Sequence, residues 1–366
     1  MITEELKKEA AMASKVTVDP GKLTQFSARI LQKVGVPEED AENTARMLVA
    51  ADMRGIDTHG VAHLGTHYIK RIKEGLINPK PQIQIVSHAQ ATAVVDGDRG
   101  LGFVVGHYAM TEAMQRAGQT GAGFVSVRNS TPCGAASTYA MMALPKNMIG
   151  IAMTTGGRGM IAPGSVGRGA GINVISVAVP TQGNAPFVLD MATTVVAGSR
   201  FEVALRNGQA TIPEGWAVDK TGTPLTDPKK YATEGALLPL GGLPETGAFK
   251  GFGLSVMVDV FCSILAGSVS ISDLLTQPNT ALRANHFFGA LKIDGFMPAD
   301  DFARAMAGMV KVYHDLPKAP GVERICLAGE VEYEIEKKRR HGIPLDPQVI
   351  ASLQELAVEF GVEYDL

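Results

Sequence analysis

The sequence predicts an α/β or α+β enzyme whose two ends are helical, and three observations lead to this class. Apolar residues recur with helical spacing in residues 22–34 and 38–53, and the pattern continues from Thr58 to Glu74. The middle of the chain then alternates short strand-like and helix-like segments. From residue 298 onward the chain is again helical in pattern. This order predicts that the two ends of the chain pack together beside a central sheet.

The middle segments are short and separated by glycine and proline. Pro79 and Pro81 end the first helical region, and residues 207–250 are so rich in turn residues that we expect a long functional loop region there. The expected strands are 83–87, 92–96, 123–127, 149–154, 172–179, 187–189 and 286–293. The expected helices are 106–117, 137–143, 194–205, 251–267, 298–313, 331–341 and 346–360.

The composition limits the classes of partner that the protein is expected to bind. The chain has 366 residues, 45% of them hydrophobic and 19% charged, with a formal net charge of -3. A large core is therefore expected, and no basic surface for nucleic acid. The three cysteines are scattered and suggest no disulfide framework, which predicts a cytoplasmic protein. Residues 1–15 are charged rather than apolar, and the apolar segment 251–268 contains Asp259, so we expect a buried helix and no membrane span.

A glycine motif invites a nucleotide-binding interpretation. Gly100, Gly102 and Gly106 have a GxGxxxG spacing between a strand and a helix, as a dinucleotide loop requires. The next strand, however, closes with Arg128 and Asn129 instead of an acidic residue. The alternative is a tight turn that packs a helix onto a sheet, and this interpretation is favoured.

Residues 54–61, with the sequence RGIDTHGV, resemble the RGxDSHGV signature of the type-2 malate/L-lactate dehydrogenase family, which includes ureidoglycolate and sulfolactate dehydrogenases. Four further segments resemble family motifs and follow in the same order along the chain. They are DMAT at 190–193, IPEGWA at 212–217, KGFGL at 250–254 and APGVE at 319–323.

The resemblance implies a specific fold and assembly. We expect a mixed, largely antiparallel sheet that binds NAD or NADP without a Rossmann fold. Residues 1–85 with 300–366 would form a helical domain, and residues 86–299 the cofactor- and substrate-binding domain. The family also implies a homodimer with active sites near the subunit interface. The cofactor-binding residues that the resemblance implies are Asp190, Met191, Ala192, Lys250, Gly329 and Glu330.

The expected substrate pocket departs from the family. The family takes its catalytic acid from a histidine in an NSxHFG loop, but residues 129–134 read NSTPCG and Pro132 stands at the histidine position. The family arginine five residues beyond the serine of the SHG motif is His63 here, and a family tyrosine is His67. The serine itself is Thr58, which keeps the hydroxyl group.

Three hypotheses follow from these departures. The first is a working dehydrogenase that transfers hydride to or from a small 2-oxo or 2-hydroxy acid, with His59, His63 or His67 as the replacement acid. The second is a metal site, because the three histidines recur every four residues, although such a helix spreads them over two turns. The third is a cofactor-binding homologue that has lost catalysis.

We adopt the first hypothesis, with no metal. His59 is then the acid/base, Thr58 hydrogen-bonds substrate and His63 replaces the carboxylate-binding arginine. The remaining substrate-binding residues are predicted to be Arg54, His67 and Asn129.

Overall fold

A computed structural model describes residues 15–181, 183, 185–206, 208–268 and 283–366. Apart from Lys15, the charged N-terminal stretch lies outside these residues. The central element is a seven-stranded sheet in the order β2-β3-β4-β12-β5-β8-β9. The strands are β1 Val16–Val18, β2 Gln84–His88, β3 Thr92–Asp96, β4 Ala122–Ser130, β5 Met148–Thr154, β6 Arg158–Met160, β7 Ala170–Gly171, β8 Val174–Val179, β9 Phe187–Ala192, β10 Ala217–Val218, β11 Ala236–Leu237, β12 Ala284–Lys292 and β13 Ile343–Leu345.

The large sheet is mixed but largely antiparallel, as expected. Only the pair β3 and β4 runs parallel within it, and every other neighbouring pair is antiparallel. A doubly wound nucleotide-binding fold needs a mainly parallel sheet. The expectation of a fold other than the Rossmann fold is therefore confirmed.

Helices cover the sheet and form the two ends of the chain. The longest central helix, α4, lies against β4 and β12, and its buried face includes Phe103 and Met110. The helices are α1 Pro20–Lys33, α2 Glu38–Met53, α3 Lys70–Lys73, α4 Gly102–Thr120, α5 Ala136–Ala140, α6 Ser199–Arg206, α7 Tyr231–Glu234, α8 Ala248–Asp259, α9 Ala299–His314, α10 Glu330–Arg339 and α11 Pro347–Phe360. None of the helices in the described ranges combines the length and apolar character that a membrane crossing requires.

The two ends of the chain meet in the structure. Strand β1 pairs antiparallel with β13, and the rings of Phe26 and Tyr364 contact each other edge to face at 5.8 Å between centroids. Farther along, the buried guanidinium of Arg54 forms an ion pair with Glu336, with 3.1 Å between nitrogen and oxygen. The helices of the N-terminal segment thus depend on the last part of the chain for their packing. The domain boundaries stay a prediction.

The loop region that the sequence predicts between 207 and 250 contains more order than expected. A small four-stranded sheet, in the order β10-β11-β6-β7, joins it to the glycine-rich segment 156–171. A cluster of aromatic side chains stabilises this part, because the ring of Phe201 stacks on Tyr231 at 3.8 Å and contacts Trp216 edge to face. The short strands escape a search for alternating patterns because they contain only two or three residues each.

The prediction of one continuous helix from Thr58 to Glu74 is wrong. The chain forms two 3-10 turns, Asp57–His59 and Val61–His63, then a π-helical turn, Leu64–Ile69, before α3 begins. The break lies at Gly60, whose backbone is extended with φ -94° and ψ -155°.

The physical cause of the break is the buried carboxyl of Asp52 in α2. A Cβ atom on Gly60 would lie 1.9 Å from Asp52 Oδ1, so only glycine fits there. Asp52 Oδ2 accepts a hydrogen bond from the backbone N–H of Val61 at 2.8 Å, which replaces a helical bond.

The glycine motif at 100–106 serves close packing. A Cβ atom on Gly102 would lie 2.2 Å from the carbonyl oxygen of Thr131, and one on Gly106 would lie 2.7 Å from the ring of Tyr139. The space beside these two glycines is thus filled by other atoms of the protein, and no room is left there for a nucleotide. This favours the interpretation of a tight turn that packs α4 onto its neighbours.

Candidate active site

The expected acid/base, His59, ends the first 3-10 turn beside the hydroxyl group of Thr58. Thr58 Oγ1 lies 3.0 Å from His59 Nδ1, so the Nε2 atom is the one left for a substrate. Part of the His59 side chain is exposed, yet the protein packed around it lowers its pKa, and the neighbouring His63 lowers it further. A lowered pKa favours the neutral ring, which is a base.

The side chain of Asp52 packs against the turn that carries His59 and stabilises it. Burial raises the pKa of this carboxyl from 3.8 to about 7, against the opposing effect of the hydrogen bond from Val61. Arg339 of α10 donates to the carbonyl of Asp52 and to the carboxylate of Asp57 in the same turn. Asp52 is not among the residues predicted from the sequence, although an acidic residue among the apolar positions near the end of α2 is an available signal.

His63 and His67 form a pair rather than one face of a three-histidine helix. Their Nδ1 atoms are 3.0 Å apart, and the two rings meet edge to face at 4.1 Å between centroids. His63 Nε2 also lies 2.6 Å from the carbonyl oxygen of Thr58. The backbone break at Gly60 separates His59 from this pair, so the helical arithmetic behind the metal hypothesis does not apply. Within the described ranges, no group of three or more histidine, cysteine or acidic side chains is arranged to hold a metal ion.

The loop 129–134 passes next to the histidine segment, residues 57–69, which contains His59, His63 and His67. A Cβ atom on Gly134 would lie 3.8 Å from the carbonyl oxygen of His59. Pro132 itself contributes backbone that packs against Gly102, so it carries no group that could transfer a proton. Burial raises the pKa of the Cys133 thiol to about 12, and this side chain therefore stays protonated and unreactive.

A histidine that the sequence analysis did not single out lies under this loop. His286 of β12 is fully buried, with Nε2 at 3.0 Å from Ser130 Oγ and Nδ1 at 2.8 Å from Thr154 Oγ1. Burial lowers its pKa from 6.5 to about 4, so the ring is neutral at neutral pH. It holds the loop in place rather than donating a proton. Its sequence signal is weak, because it follows another polar residue, Asn285, at the start of a mostly apolar strand.

Helix α5 follows the loop and connects it to β9. Asp190, the first of the predicted cofactor residues, accepts a hydrogen bond from the backbone N–H of Ser137 at 2.8 Å. Burial raises the pKa of Asp190, and the bonds from Ser137 act in the opposite direction. The expected turn at Asp190–Ala192 is instead the end of β9, because its backbone pairs with β8 through Ala192.

The other predicted cofactor segments meet at β9. The backbone N–H of Val188 donates to the carbonyl of Ala328, which precedes Gly329. On the far side, Leu240 N–H donates to Thr193 O, and Leu240 O accepts from Gly251 N–H at the start of α8. Three segments that are distant in sequence therefore lie along β9, one near the start of the strand and two beyond its end.

The residues at this junction differ in whether a side chain is available to bind a ligand. Gly329 has φ +92°, and a Cβ atom there would lie 2.8 Å from the side chain of Val188. Glu330 is engaged by His314, with 2.8 Å between Nε2 and Oε1, and by the N–H of Leu327. Lys250 is exposed and forms no ion pair with any described side chain. Lys250 is consequently a cation that is available for an anionic ligand.

Two of the residues predicted to bind substrate, Arg54 and Asn129, have other partners in the structure. Arg54 is directed to Glu336, as described above. Asn129 has a left-handed backbone with φ +54°, and its side-chain amide donates to Asp96 Oδ1 at 2.9 Å. With Asp96 and Arg128 it lines a separate polar cavity of about 290 Å³.

Comparison with known proteins agrees with this architecture. A family model described as malate/L-lactate dehydrogenase matches residues 18–354. The malate dehydrogenase of Pyrococcus abyssi is 41% identical over 351 residues, covering 95% of this chain and 96% of the relative. The L-sulfolactate dehydrogenase of Methanocaldococcus jannaschii is 38% identical over 338 residues, covering 92% and 95%. The crystal structure of malate dehydrogenase from Entamoeba histolytica superposes with a TM-score of 0.91 at 33% identity, over 96% of this chain and 100% of that chain.

These matches place the chain among the dehydrogenases, with a fold that differs from the Rossmann type. It belongs to the malate/L-lactate dehydrogenase family. The resemblance carried by residues 54–61 and the four later motifs is thereby confirmed.

Proposed function

We propose that this protein is an NAD- or NADP-dependent oxidoreductase that interconverts a small 2-oxo acid and its 2-hydroxy acid, such as malate, lactate or sulfolactate. One observation carries the proposal. The short segment from Gly134 to Ser137 approaches the His59 backbone at one end and bonds to Asp190 at the other. A proton-transferring ring and the junction around β9 are thus joined by a few residues. The relatives named malate and sulfolactate dehydrogenase support this substrate class.

The residues at the β9 junction fit a nicotinamide coenzyme. The absence of a side chain at Gly329 lets the backbone lie directly against Val188 of β9, and Lys250 supplies a cation without an acidic partner in the described ranges. We expect Lys250 to hold a phosphate group, and Asp190, Met191, Ala192, Gly329 and Glu330 to shape the surrounding wall. The coenzyme supplies or accepts the hydride when it is bound.

His59 transfers the proton that must accompany the hydride. When a 2-hydroxy acid is oxidised, neutral His59 accepts the hydroxyl proton at Nε2, since Thr58 occupies Nδ1. In the reductive direction, the same atom returns the proton to the forming alkoxide. Because the pKa of His59 is lowered, the ring stays neutral when the pH falls below the usual pKa of histidine. A neutral ring can accept a proton, which favours the oxidative direction.

The test is a coenzyme-linked assay. Purified protein is incubated with NADH or NADPH and with oxaloacetate, sulfopyruvate or pyruvate, and absorbance of the reduced coenzyme is followed. We expect turnover with at least one pair, and a loss of at least about 100-fold in kcat for His59→Gln. His88→Gln, an exposed histidine on the edge strand β2, is the matched control. Coenzyme binding without turnover of any 2-oxo acid would instead support the alternative of a homologue that has lost catalysis.

We also propose a homodimer, because two helices leave apolar faces uncovered. Along α8 and the π-helical turn that follows, Phe249, Val256, Val260 and Ile264 are between 42% and 65% exposed at spacings that place them on one face. Helix α9 buries only Val310 among its 16 residues. A second copy of the chain would cover such surfaces. Sedimentation of the wild type as a dimer and of Val260→Asp as a monomer is the expected result.

A cytoplasmic location is the third part of the proposal. All three cysteines are free thiols, which supports a reducing compartment. Cell fractionation with a cytoplasmic marker tests this, and recovery with the envelope would contradict it.

A further inference from the structure

The polar cavity beside Asn129 has no part in the proposed reaction, and three separate parts of the chain build it. It encloses about 290 Å³. The ends of β3 and β4 form one wall, and residues 267–268 and 283, just before β12, form the other. The described residues that line it are Asp96, Arg128, Asn129, Gly267, Ser268 and Arg283. Two arginines against one carboxylate give this lining an excess of positive charge.

The carboxylate in the lining is fully engaged by its neighbours. Asp96 Oδ2 accepts a hydrogen bond from Arg128 Nε at 2.9 Å. Asp96 Oδ1 accepts from the Asn129 amide at 2.9 Å and from the backbone N–H of Asp98 at 3.1 Å. Burial acts to raise the pKa of Asp96, but the hydrogen bonds outweigh it and lower the pKa. The carboxylate therefore stays ionised and holds Arg128 in place.

The groups of the lining that remain free are donors. Arg128 uses Nε for Asp96 and brings Nη1 within 3.5 Å of the carbonyl of Ala266, so its Nη2 group has no partner among the described residues. Arg283 is exposed and forms neither an ion pair nor a hydrogen bond with any residue that the structure describes. A guanidinium group presents its N–H donors in a fork that matches the oxygens of an anion such as phosphate. The cavity therefore favours an anionic ligand.

The backbone around the cavity has an uncommon conformation. Three of the four non-glycine residues with positive φ in the described ranges are Asp98 at +49°, Arg99 at +54° and Asn129 at +54°. Arg99 N–H donates to the carbonyl of Asn129 at 2.7 Å. Gly97 N–H donates to the carbonyl of Arg128 at 2.9 Å. Left-handed backbone is unfavourable for residues with a side chain and recurs at rigid ligand sites. Here it fixes the charged wall before a ligand arrives.

The cavity is distant from the coenzyme junction around β9. Both lie at the same edge of the large sheet, because β4 ends where β12 begins and β9 ends beside the start of β8. Strands β12, β5 and β8 separate β4 from β9, and four steps between neighbouring strands correspond to about 19 Å. A ligand in the cavity would thus occupy a different place from the phosphate group that we expect at Lys250.

We propose that this cavity is a second ligand site, which binds a phosphate group between Arg128 and Arg283. The oxygens of a tetrahedral phosphate can accept from both guanidinium groups at once, although these groups belong to opposite walls. The volume also leaves room for atoms attached to the phosphate. The phosphate group therefore belongs either to a free ligand, as inorganic phosphate or a small phosphate ester, or to NADP, which carries one phosphate more than NAD. This inference goes beyond the proposed function and does not depend on it.

The experiment titrates the purified full chain with inorganic phosphate in a calorimeter. The pH is 8, where phosphate is mostly a dianion, and sodium chloride keeps the ionic strength constant. We expect binding with a dissociation constant of about 1 mM or below. Arg283→Gln removes one guanidinium group from an exposed position without a partner, so it should fold normally and bind phosphate at least about ten-fold more weakly.

Three further variants locate the binding. Arg340→Gln removes an exposed arginine at the end of α10 and is the matched control, with an expected change of less than about two-fold. Lys250→Met removes the cation expected at the coenzyme site and should likewise leave the phosphate affinity unchanged. Arg283→Lys keeps the charge but loses the fork, so its affinity should lie between those of the wild type and Arg283→Gln.

Coenzyme titrations distinguish the two sources of the phosphate group. If the group belongs to NADP, Arg283→Gln weakens NADPH at least about ten-fold and leaves NADH unchanged, and inorganic phosphate competes with NADPH alone. If it belongs to a free ligand, Arg283→Gln leaves both coenzymes unchanged. Inorganic phosphate or glycerol 3-phosphate then binds to protein that is already saturated with coenzyme.

Three results would overturn the proposal. The first is the absence of binding heat up to about 20 mM phosphate. The second is equal affinity of the wild type and Arg283→Gln, because phosphate then binds elsewhere. The third is a loss of affinity in Lys250→Met alone, which would assign the phosphate to the coenzyme junction. None of these results concerns turnover of a 2-oxo acid, so the proposed function is tested separately.

Discussion

Replacement of the buried carboxyl behind the histidine turn, Asp52→Asn, should change how the stability of the protein depends on pH. The Asp52 side chain is only 2% exposed, and among the described residues it accepts a hydrogen bond only from the backbone of Val61. Burial raises its pKa from 3.8 to about 7. The native state therefore keeps a proton that the unfolded chain releases, and stability falls as the pH rises between these two values.

The magnitude follows from the size of the shift. Each pKa unit corresponds to about 1.36 kcal/mol, so a change from 3.8 to about 7 costs the native state about 4 kcal/mol once both states are ionised. About 2.5 kcal/mol of this cost develops between pH 5 and pH 8. Asparagine has no charge to bury. Its oxygen can still accept the bond from Val61, although its amide group lacks a partner and offsets part of the gain.

The assay is equilibrium unfolding in urea at pH 5 and pH 8 for the wild type and the variant. The stability of Asp52→Asn relative to the wild type should increase by about 2.5 kcal/mol between the two conditions, whatever the fixed cost of the new amide. Asp300→Asn, an exposed carboxyl on α9, is the control and should show the same relative stability at both pH values. A relative stability of Asp52→Asn that does not change with pH would refute the reasoning, because the carboxyl would then be ionised in the native state as in the unfolded chain.

Three further predictions concern other parts of the site. His286→Gln should remove an acid destabilisation of about 2.5 kcal/mol between pH 7.5 and pH 4.5, because a native pKa of about 4 against 6.5 makes the wild type lose stability as the pH falls between these two pKa values. Urea unfolding at pH 4.5 and pH 7.5 measures the difference. Gly60→Ala should abolish activity and lower the melting temperature because its Cβ would lie 1.9 Å from Asp52, whereas Gly118→Ala, in open space on α4, should leave activity unchanged and should not lower the melting temperature. Lys250→Met should raise the coenzyme KM about ten-fold or more with little change in kcat, and Lys146→Met should not; an unchanged KM for Lys250→Met would remove this lysine from the coenzyme site.

The sequence predicted the class of fold and most elements of the central sheet, because their patterns are local. Strand β3 was predicted with its observed bounds, and β5, β8 and β12 nearly so. The family motifs added the expectation of a largely antiparallel sheet, which no local pattern contains. The short strands β6 and β7 were missed because two or three residues carry too little periodicity to be read.

The histidine segment could not be predicted from spacing alone. Helical periodicity continues through Gly60, but a carboxyl from α2 occupies the space that a helix would need there. This is a tertiary effect, and its two partners are eight residues apart in sequence. For the same reason His286 was overlooked, since its partners Ser130 and Thr154 belong to other strands.

The dependence of the histidine turn on α10 has a consequence for biosynthesis. Arg54 and Asp57 find their partners Glu336 and Arg339 in each case 282 residues later in the chain. During translation the sheet strands up to β12 emerge before these partners exist, so the turn carrying His59 gains its support only when the chain is nearly complete. A nascent chain that ends after β12 therefore lacks the partners of the His59 turn and also the segment around Gly329 that contacts β9, so both parts of the candidate site are completed only by the last tenth or so of the chain to be synthesised.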